Sequence, residues 1–332
     1  MTGSGSPQLR HVLVLDDPQG RRALILDAAT YSLGRDPQNS IPLQSSSISR
    51  QHALLLRVPA SSGYRYRILD GNAEGKRSTN GIRLNGIPCT SQDLEDGDLI
   101  EFGPDTKARY YRREMTEEEI GRYAESLEYR SIKASTVSLK STDLFGDKRD
   151  RVLLLQPREY QRSGVLRPGI PHPVLGLIFQ NQCYYCERLL GTDLEEAIEQ
   201  CRSRLEHPLE EREFCLLVQD DYGYRLALHQ PQLVAVAYDS FLATTCQQMR
   251  RDIRVEDRRW RLRKFEKCFV GSDAVTWLAG HFQISRPEAV QVGQECLQRR
   301  LFLHVLEEQN FADEGYYYRF REDGGPEERV VG

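Results

Sequence analysis

The residues best suited to chemistry in this chain are cations and short hydroxyls set between glycines. Arg35 follows Gly34, Ser49 and Arg50 sit just before His52, and Ser78-Thr79-Asn80-Gly81 forms a third group. Those side chains suit a phosphate ester. A phosphothreonine carries about −1.5 to −2 charges and three acceptor oxygens, and a guanidinium meets them with a planar fork of donors. Gly34 lets the chain turn tightly before Arg35. Ser49 and Thr79 supply hydroxyls, and Asn80 can donate and accept, which suits a peptide main chain. Taken singly, Arg35 reads as a surface arginine, and Ser49 with His52 as a buried hydrogen-bonding pair. Taken together they read as an arginine-based site for a phosphorylated peptide. No nucleophile elbow, kinase signature, zinc-hydrolase helix or dinucleotide fingerprint accompanies them.

The groups occur in the order Leu33-Gly34-Arg35, Ser49-Arg50-Gln51-His52, Ser78-Thr79-Asn80-Gly81 and Leu84-Asn85-Gly86. This ordered set resembles the forkhead-associated (FHA) domain over roughly residues 9 to 113. The resemblance implies a β-sandwich that binds phosphothreonine peptides, the threonine methyl filling a small hollow. It implies that Arg35 and Ser49 hold phosphate with help from Arg50 and Thr79, and that Asn80 binds the main chain beside the phosphoresidue. His52 would brace the loops from behind, with Gly34 and Gly81 structural. Arg50 stands where some relatives have Asn, adding a cation. The loop from Gly71 to Arg77 is longer than the shortest family versions and brings Lys76 and Arg77 near Thr79 in sequence, as auxiliary phosphate contacts. Ser47, two before Ser49, stands where some relatives carry a charge that selects the third residue after the phosphothreonine, so no strong acidic preference is expected there. Gly71 to Ser78 imitates a Walker loop, but with three residues between its glycines and Arg77 separating Lys76 from Ser78, so nucleotide binding is not expected.

Near the other end, Cys268-Phe269-Val270-Gly271-Ser272-Asp273-Ala274-Val275-Thr276-Trp277-Leu278 resembles the signature of DEP domains. Ser285 to Leu297 fits the third helix of that family, and Leu301 to Val305 with Tyr317-Tyr318-Arg319-Phe320 its closing strands. The resemblance covers about residues 241 to 321 and implies a winged-helix-like docking module. Phe269, Val275, Trp277 and Leu278 would be core, and Gly271 would allow a tight entry to a helix capped by Ser272. Docking would fall to a charged hairpin whose basic residues crowd the stretch from Arg250 to Lys267. In a strand of that hairpin Arg259, Arg261 and Arg263 share a face, opposite Trp260 and Leu262. That face would meet a protein partner; the alternatives are an anionic membrane surface and a merely solvated face.

These groups need scaffolds. Short strands at His11 to Leu15, Arg22 to Leu26, Ala53 to Val58, Tyr64 to Leu69 and Leu99 to Phe102, with Gly, Pro and Asn between them, argue for a β-sandwich. Tyr64-Arg65-Tyr66-Arg67-Ile68 alternates, which predicts one wet face, and Asn85-Gly86 predicts a hairpin turn. Thr116 to Glu119 has capping-box spacing and opens a helix to about Tyr129. Ser131 to Asp150 reads as a flexible linker, and Thr136 and Thr142 in it would be ligands for the front domain if phosphorylated. Leu175 to Leu190 reads as strand. Thr192-Asp193-Leu194-Glu195 opens a helix burying Leu194, Ala197, Ile198, Cys201 and Leu205, and a hairpin follows around Asp220-Asp221. Cys183-Tyr184-Tyr185-Cys186 with Cys201 and Cys215 is compatible with zinc, but Cys201 and Cys215 lie in apolar settings, so buried free thiols are expected and no metal.

The expected organisation is multidomain: residues 1–114 an all-β FHA sandwich, 115–150 a helix and linker, 151–240 a small α+β middle unit of no assigned family, 241–322 an α+β winged-helix-like DEP domain, and 323–332 a disordered tail. In 332 residues the net charge is only −4, so nothing global calls for nucleic acid. Eight scattered cysteines fit a reducing compartment. No long apolar span or secretory signal core is present. The expectation is a cytoplasmic adaptor, not an enzyme and without a cofactor, that binds a phosphothreonine-containing protein in front and docks behind, the alternatives being an enzyme in the middle unit or recruitment to the membrane periphery.

Overall fold

The computed structural model describes residues 7–61, 63–116, 119, 151–206, 215–220, 223–230, 232–260, 263–306 and 310–323. The linker with Thr136 and Thr142, the helix body expected up to Tyr129 and the tail beyond Asp323 lie outside the described residues, whereas Asp323 itself, expected in the tail, is ordered against Arg250. At the start of that helix the capping box is formed: the Thr116 N–H donates to Glu119 Oε2 (2.8 Å) and the Glu119 N–H to Thr116 Oγ1 (3.2 Å).

Eleven strands build the front. They are β1 (Gln8–Asp17), β2 (Gly20–Leu26), β3 (Thr30–Gly34), β4 (Ile41–Pro42), β5 (Ala53–Ala60), β6 (Gly63–Asp70), β7 (Ile82–Leu84), β8 (Ile87–Cys89), β9 (Ser91–Asp93), β10 (Leu99–Gly103) and β11 (Thr106–Met115). One sheet has the order β2-β1-β11-β10-β7-β8 and the other β4-β3-β5-β6-β9. Their inner faces meet through Leu13, Leu33, Leu55, Ile68, Ile100 and Phe102. Asn85 and Gly86 both have positive φ, 52° and 80°, and make the two-residue turn between β7 and β8.

Then come β12 (Val152–Leu155), β13 (Gln161–Leu166), β14 (Val174–Phe179), β15 (Gln182–Gly191), α1 (Leu194–Glu206), β16 (Cys215–Asp220), β17 (Gly223–Leu228) and β18 (Val234–Val236). These elements are shared between two compact units. The first comprises Met1–Glu159, Gln180–Gln182 and Asp193–Val218, the second Tyr160–Phe179, Cys183–Thr192 and Gln219–Gly332.

Within the first unit β12 pairs in parallel with β16 and lies against β5, and α1 packs on β12. Asp193 caps α1 by accepting the Glu196 N–H (2.8 Å), and Ala197, Ile198, Cys201 and Leu205 are its buried residues. This layer overturns the expected wet face of β6. Arg67 is only 8% exposed and pairs with Asp93 at 2.5 Å. Its cross-strand neighbour is Leu56, and the pairs Leu54–Leu69 and Val58–Arg65 share that face. Ala53 to Leu56 is a continuous apolar run because β5 is buried on both sides.

The end of the sandwich holds a buried charge. Arg57 is fully buried, pairs with Glu159 at 2.5 Å and lies over the Tyr64 ring. The Glu159 carboxylate also accepts the Ala29 and Gln156 N–H groups, each at 2.7 Å.

His11 lies near this charge, stacked on Tyr64 at 4.5 Å and bonded to the Tyr110 hydroxyl. Burial first, then Arg112 and Arg57, lowers its pKa to about 4. The unfolded chain therefore takes up a proton at this histidine near pH 6.5, where the fold refuses it. The resulting stability is whole above pH 6.5 and is lost as pH falls toward 4, at about 1.4 kcal/mol per unit of pH. The urea midpoint of the first unit is expected to fall between pH 7 and pH 5, and to fall less in His11→Gln. Equal slopes in the two proteins would contradict this.

In the second unit β17, β15, β14, β13 and β18 lie side by side in that order. Leu175 to Leu190 is a hairpin and not one strand, because Gln180 and Asn181 both adopt positive φ. One helix and three pairs of elements follow in the unit: α2 (Tyr238–Asp252), β19 (Glu256–Trp260) with β20 (Arg263–Val270), α3 (Gly271–Phe282) with α4 (Arg286–Gln298), and β21 (Phe302–His304) with β22 (Tyr317–Phe320). Phe241, Phe269, Val275, Leu278 and Phe302 are core, and Trp277 packs at its edge with its indole N–H on Asp252 (3.0 Å). The capping box of Ser285 and Glu288 is present. Glu288 is also buried against Arg225 of β17, and burial raises its pKa despite that arginine. Ser272 is not the cap of α3. The helix starts at Gly271 with Val270 as its N-cap and no side-chain cap bond. Gly271 is required because a Cβ there would lie 2.4 Å from the Ala312 carbonyl.

Candidate functional site

The loops after β3, before β5 and before β7 meet at one end of the sandwich. The Arg35 N–H donates to the Ser49 carbonyl (3.0 Å) and the Asp36 N–H to the Arg50 carbonyl (3.1 Å), so the first two loops lie main chain to main chain. This approach explains Gly34: a Cβ would sit 2.3 Å from the Arg50 carbonyl oxygen. Asn39 is buried there and donates to the same oxygen at 2.7 Å.

Ser49 and Thr79 are in direct contact. The Thr79 N–H donates to Ser49 Oγ (3.1 Å), and Ser49 Oγ lies 3.3 Å from Thr79 Oγ1. Asn80 Nδ2 donates to the Ser47 carbonyl (2.8 Å), which leaves its amide oxygen available to a peptide N–H. The turn holding Thr79 and Asn80 is closed by Ser78, whose hydroxyl donates to Asp70 (2.5 Å) and accepts the Gly81 N–H (3.0 Å). Gly81 has φ +69° and open space at its missing Cβ, so its contribution is backbone conformation.

His52 holds the loops from inside. It is fully buried, and its Nδ1 accepts the Ser49 N–H (3.1 Å). Its own N–H donates to Leu33 and its carbonyl accepts from Gly71, each at 2.8 Å. Burial lowers its pKa, with Asp70 and the Gly81 backbone opposing. A neutral ring is what allows Nδ1 to accept.

The cations face outward. Arg35, Arg50, Lys76 and Arg77 are all exposed. Among the described residues no carboxylate forms an ion pair with Arg35 or Arg50. The loop bearing Lys76 closes on itself, with Asn72 exchanging hydrogen bonds with the Lys76 main chain, and it leads to β7 without a helix. No Walker frame exists there.

Sequence reasoning missed a carboxylate beside this cluster. Asp105 accepts hydrogen bonds from Ser45 Oγ (2.7 Å), Ser47 Oγ (3.0 Å) and Thr106 Oγ1 (3.2 Å). These hydroxyls, Ser45 first, hold its pKa below the usual carboxylate value. Nothing in the local sequence marks it, because Asp105 lies sixty positions from Ser45.

The basic hairpin of the second unit differs from expectation. Its turn falls between Trp260 and Arg263, so Arg259 pairs with Lys264 while Arg263 pairs with Trp260. Paired residues share a face, so Arg259 and Arg263 lie on opposite faces. Arg261 is outside the described residues. Much of the positive charge is already neutralised: Arg250 by Asp323 (2.6 Å), Arg254 and Arg258 by Glu256 (2.7 and 3.2 Å), and Lys264 by Asp257 (2.8 Å).

Cys183, Cys186, Cys201 and Cys215 are free thiols. Among the described residues no group of three or more His, Cys, Asp or Glu is placed to hold a metal ion, and no helix is long and apolar enough to cross a membrane.

Residues 31–103 match the FHA domain, and residues 252–320 match the domain found in Dishevelled, Egl-10, and Pleckstrin (DEP). Over 99 residues the chain is 36% identical to the protein called Uncharacterized protein sll1895 of Synechocystis sp., a stretch covering 30% of this chain and 14% of that one. Over 83 residues it is 41% identical to the vacuolar membrane-associated protein IML1 of Saccharomyces cerevisiae, covering 24% of this chain and 5% of that one. The chain thus spans a small part of these relatives' own length. Among solved structures it is similar to the Slr1951 protein from Synechocystis sp., at 36% identity over 31% of this chain and 98% of that one, TM-score 0.30. A structure from a structural and functional analysis of phosphothreonine-dependent FHA domain interactions is 25% identical over 32% of this chain and 99% of that one, TM-score 0.27.

Proposed function

We propose that this chain, which carries an FHA domain followed by a DEP domain, is a non-enzymatic signalling adaptor. Its FHA domain binds a phosphothreonine-containing protein, and its DEP domain docks to a protein partner. The observation that carries this reading is the pairing of Ser49 with Thr79 beside two exposed guanidiniums that no described carboxylate neutralises. Arg35 and Ser49 hold the phosphate, Arg50 and Thr79 assist, and Lys76 and Arg77 add attraction from the neighbouring loop. Asn80 orients the peptide through its amide oxygen. His52 and Gly34 fix the loops before the ligand arrives, which lowers the ordering cost of binding.

Docking through the DEP domain is assigned to the hairpin edge around Arg259, with a protein in preference to lipid. Among the described residues Arg259 and Arg263 fall on different faces and ion pairs engage Arg258 and Lys264, which favours a protein over a membrane. A peripheral membrane location is still compatible with the similarity to a relative named as vacuolar membrane-associated, and the chain is proposed to act in the cytoplasm.

An oriented library of phosphothreonine, phosphoserine and unmodified threonine peptides screened against the full chain tests this. Phosphothreonine peptides should be retained most and unmodified ones not at all, with retention falling as salt rises. Equal retention of phosphorylated and unmodified peptides would refute the assignment.

A further inference from the structure

We propose that Asp105 gives the phosphopeptide site a preference for a basic side chain close to the phosphothreonine. The inference rests on the phosphopeptide reading above and names the class of peptide it takes.

Asp105 is exposed and lies in the turn between β10 and β11. That turn is packed against the loop bearing Ser45 and Ser47: a Cβ on Gly103 would lie 3.0 Å from Ser47 Oγ. Ser47 is tied to Asp105 through its hydroxyl (3.0 Å) and to Asn80 through its carbonyl (2.8 Å). One residue therefore joins the peptide-orienting amide to the carboxylate. The two groups lie within about 10 Å, the reach of about three extended residues.

Charge decides what that neighbourhood selects. Arg35 and Arg50 are balanced by a phosphate of about two negative charges. Asp105 has no such balance, since among the described residues it pairs with no cation, and its three hydroxyl donors are neutral. Those donors fix its position and leave its charge in place. A Lys or Arg within about three residues of the phosphothreonine is attracted, and an Asp or Glu there is repelled.

The test is a positional scan on the full chain with phosphothreonine peptides carrying Lys, Arg, Ala, Asp or Glu at each of the four positions on either side. Wild type should favour Lys or Arg at one or two of these by about two- to fivefold over Ala, the range of an exposed ion pair, with the preference shrinking in high salt. Asp105→Asn keeps an oxygen to accept from Ser45 and Ser47 but removes the charge, and should abolish the preference. Asp105→Lys should invert it. The same basic preference in wild type and Asp105→Asn, or none in wild type, with binding still dependent on phosphate, would overturn the role of Asp105 alone. Binding indifferent to phosphate in all three proteins would overturn the phosphopeptide reading and this inference with it.

Discussion

Arg35→Ala should weaken the binding of a phosphothreonine peptide roughly 30- to 100-fold, with little change in the stability of the sandwich. The two effects separate because the Arg35 side chain is exposed while its main chain does the structural work, donating to the Ser49 carbonyl. Substitutions at such surface positions usually change stability by about 0.5 kcal/mol or less. Arg35→Lys should recover only part of the loss, since an ammonium keeps the charge without the two-pronged geometry. Fluorescence anisotropy with a labelled phosphopeptide, beside urea unfolding of each variant, checks both halves. Unchanged affinity in Arg35→Ala would remove this residue from the site. A large fall in stability would mean that the affinity loss reported unfolding.

Glu159→Ala should destabilise the first unit by about 3–5 kcal/mol, the usual consequence of stranding a buried charge. Arg57 is fully buried and Glu159 largely so, with side-chain exposures of 0% and 17%. Removing the carboxylate also takes the acceptor from the Ala29 and Gln156 N–H groups. Arg57→Met combined with Glu159→Leu removes both charges and should regain most of that loss, because apolar groups of similar size often replace a buried pair without cost. Native-state hydrogen exchange of the β5 amides measures the effect in this unit directly. A Glu159→Ala protein within about 1 kcal/mol of wild type would show that water reaches Arg57 and solvates it.

The residues of the candidate site were easier to pick out in the sequence than the contacts that support them. Arg35, Ser49, Thr79 and Asn80 lie next to glycines or in short hydroxyl-rich runs, so local chemistry marks them, and the fold brings their loops to one end of the sandwich. Asp105, Ser45 and Asn39 acquire their roles only through contacts distant in sequence. The same distinction applies to the scaffold. The capping box of Ser285 and Glu288 is a three-residue signal and was legible. The turns at Gln180-Asn181 and after Trp260 contain no glycine or proline, so nothing local marked where the chain reverses, although a charged hairpin was expected around the second. That is why one hairpin read as one strand and why three arginines were assigned to a common face. The apolar run of β5 did announce burial on both sides, but which segment covers the outer side depends on β12, about a hundred residues downstream.

The alternation of the chain between its two compact units has an evolutionary consequence. Residues 160–179 leave the first unit for the second, 180–182 return, 183–192 leave again and 193–218 come back. A single recombination point anywhere in this stretch would divide both units, although residues 31–103 and 252–320, which match the FHA and DEP domains, lie outside it.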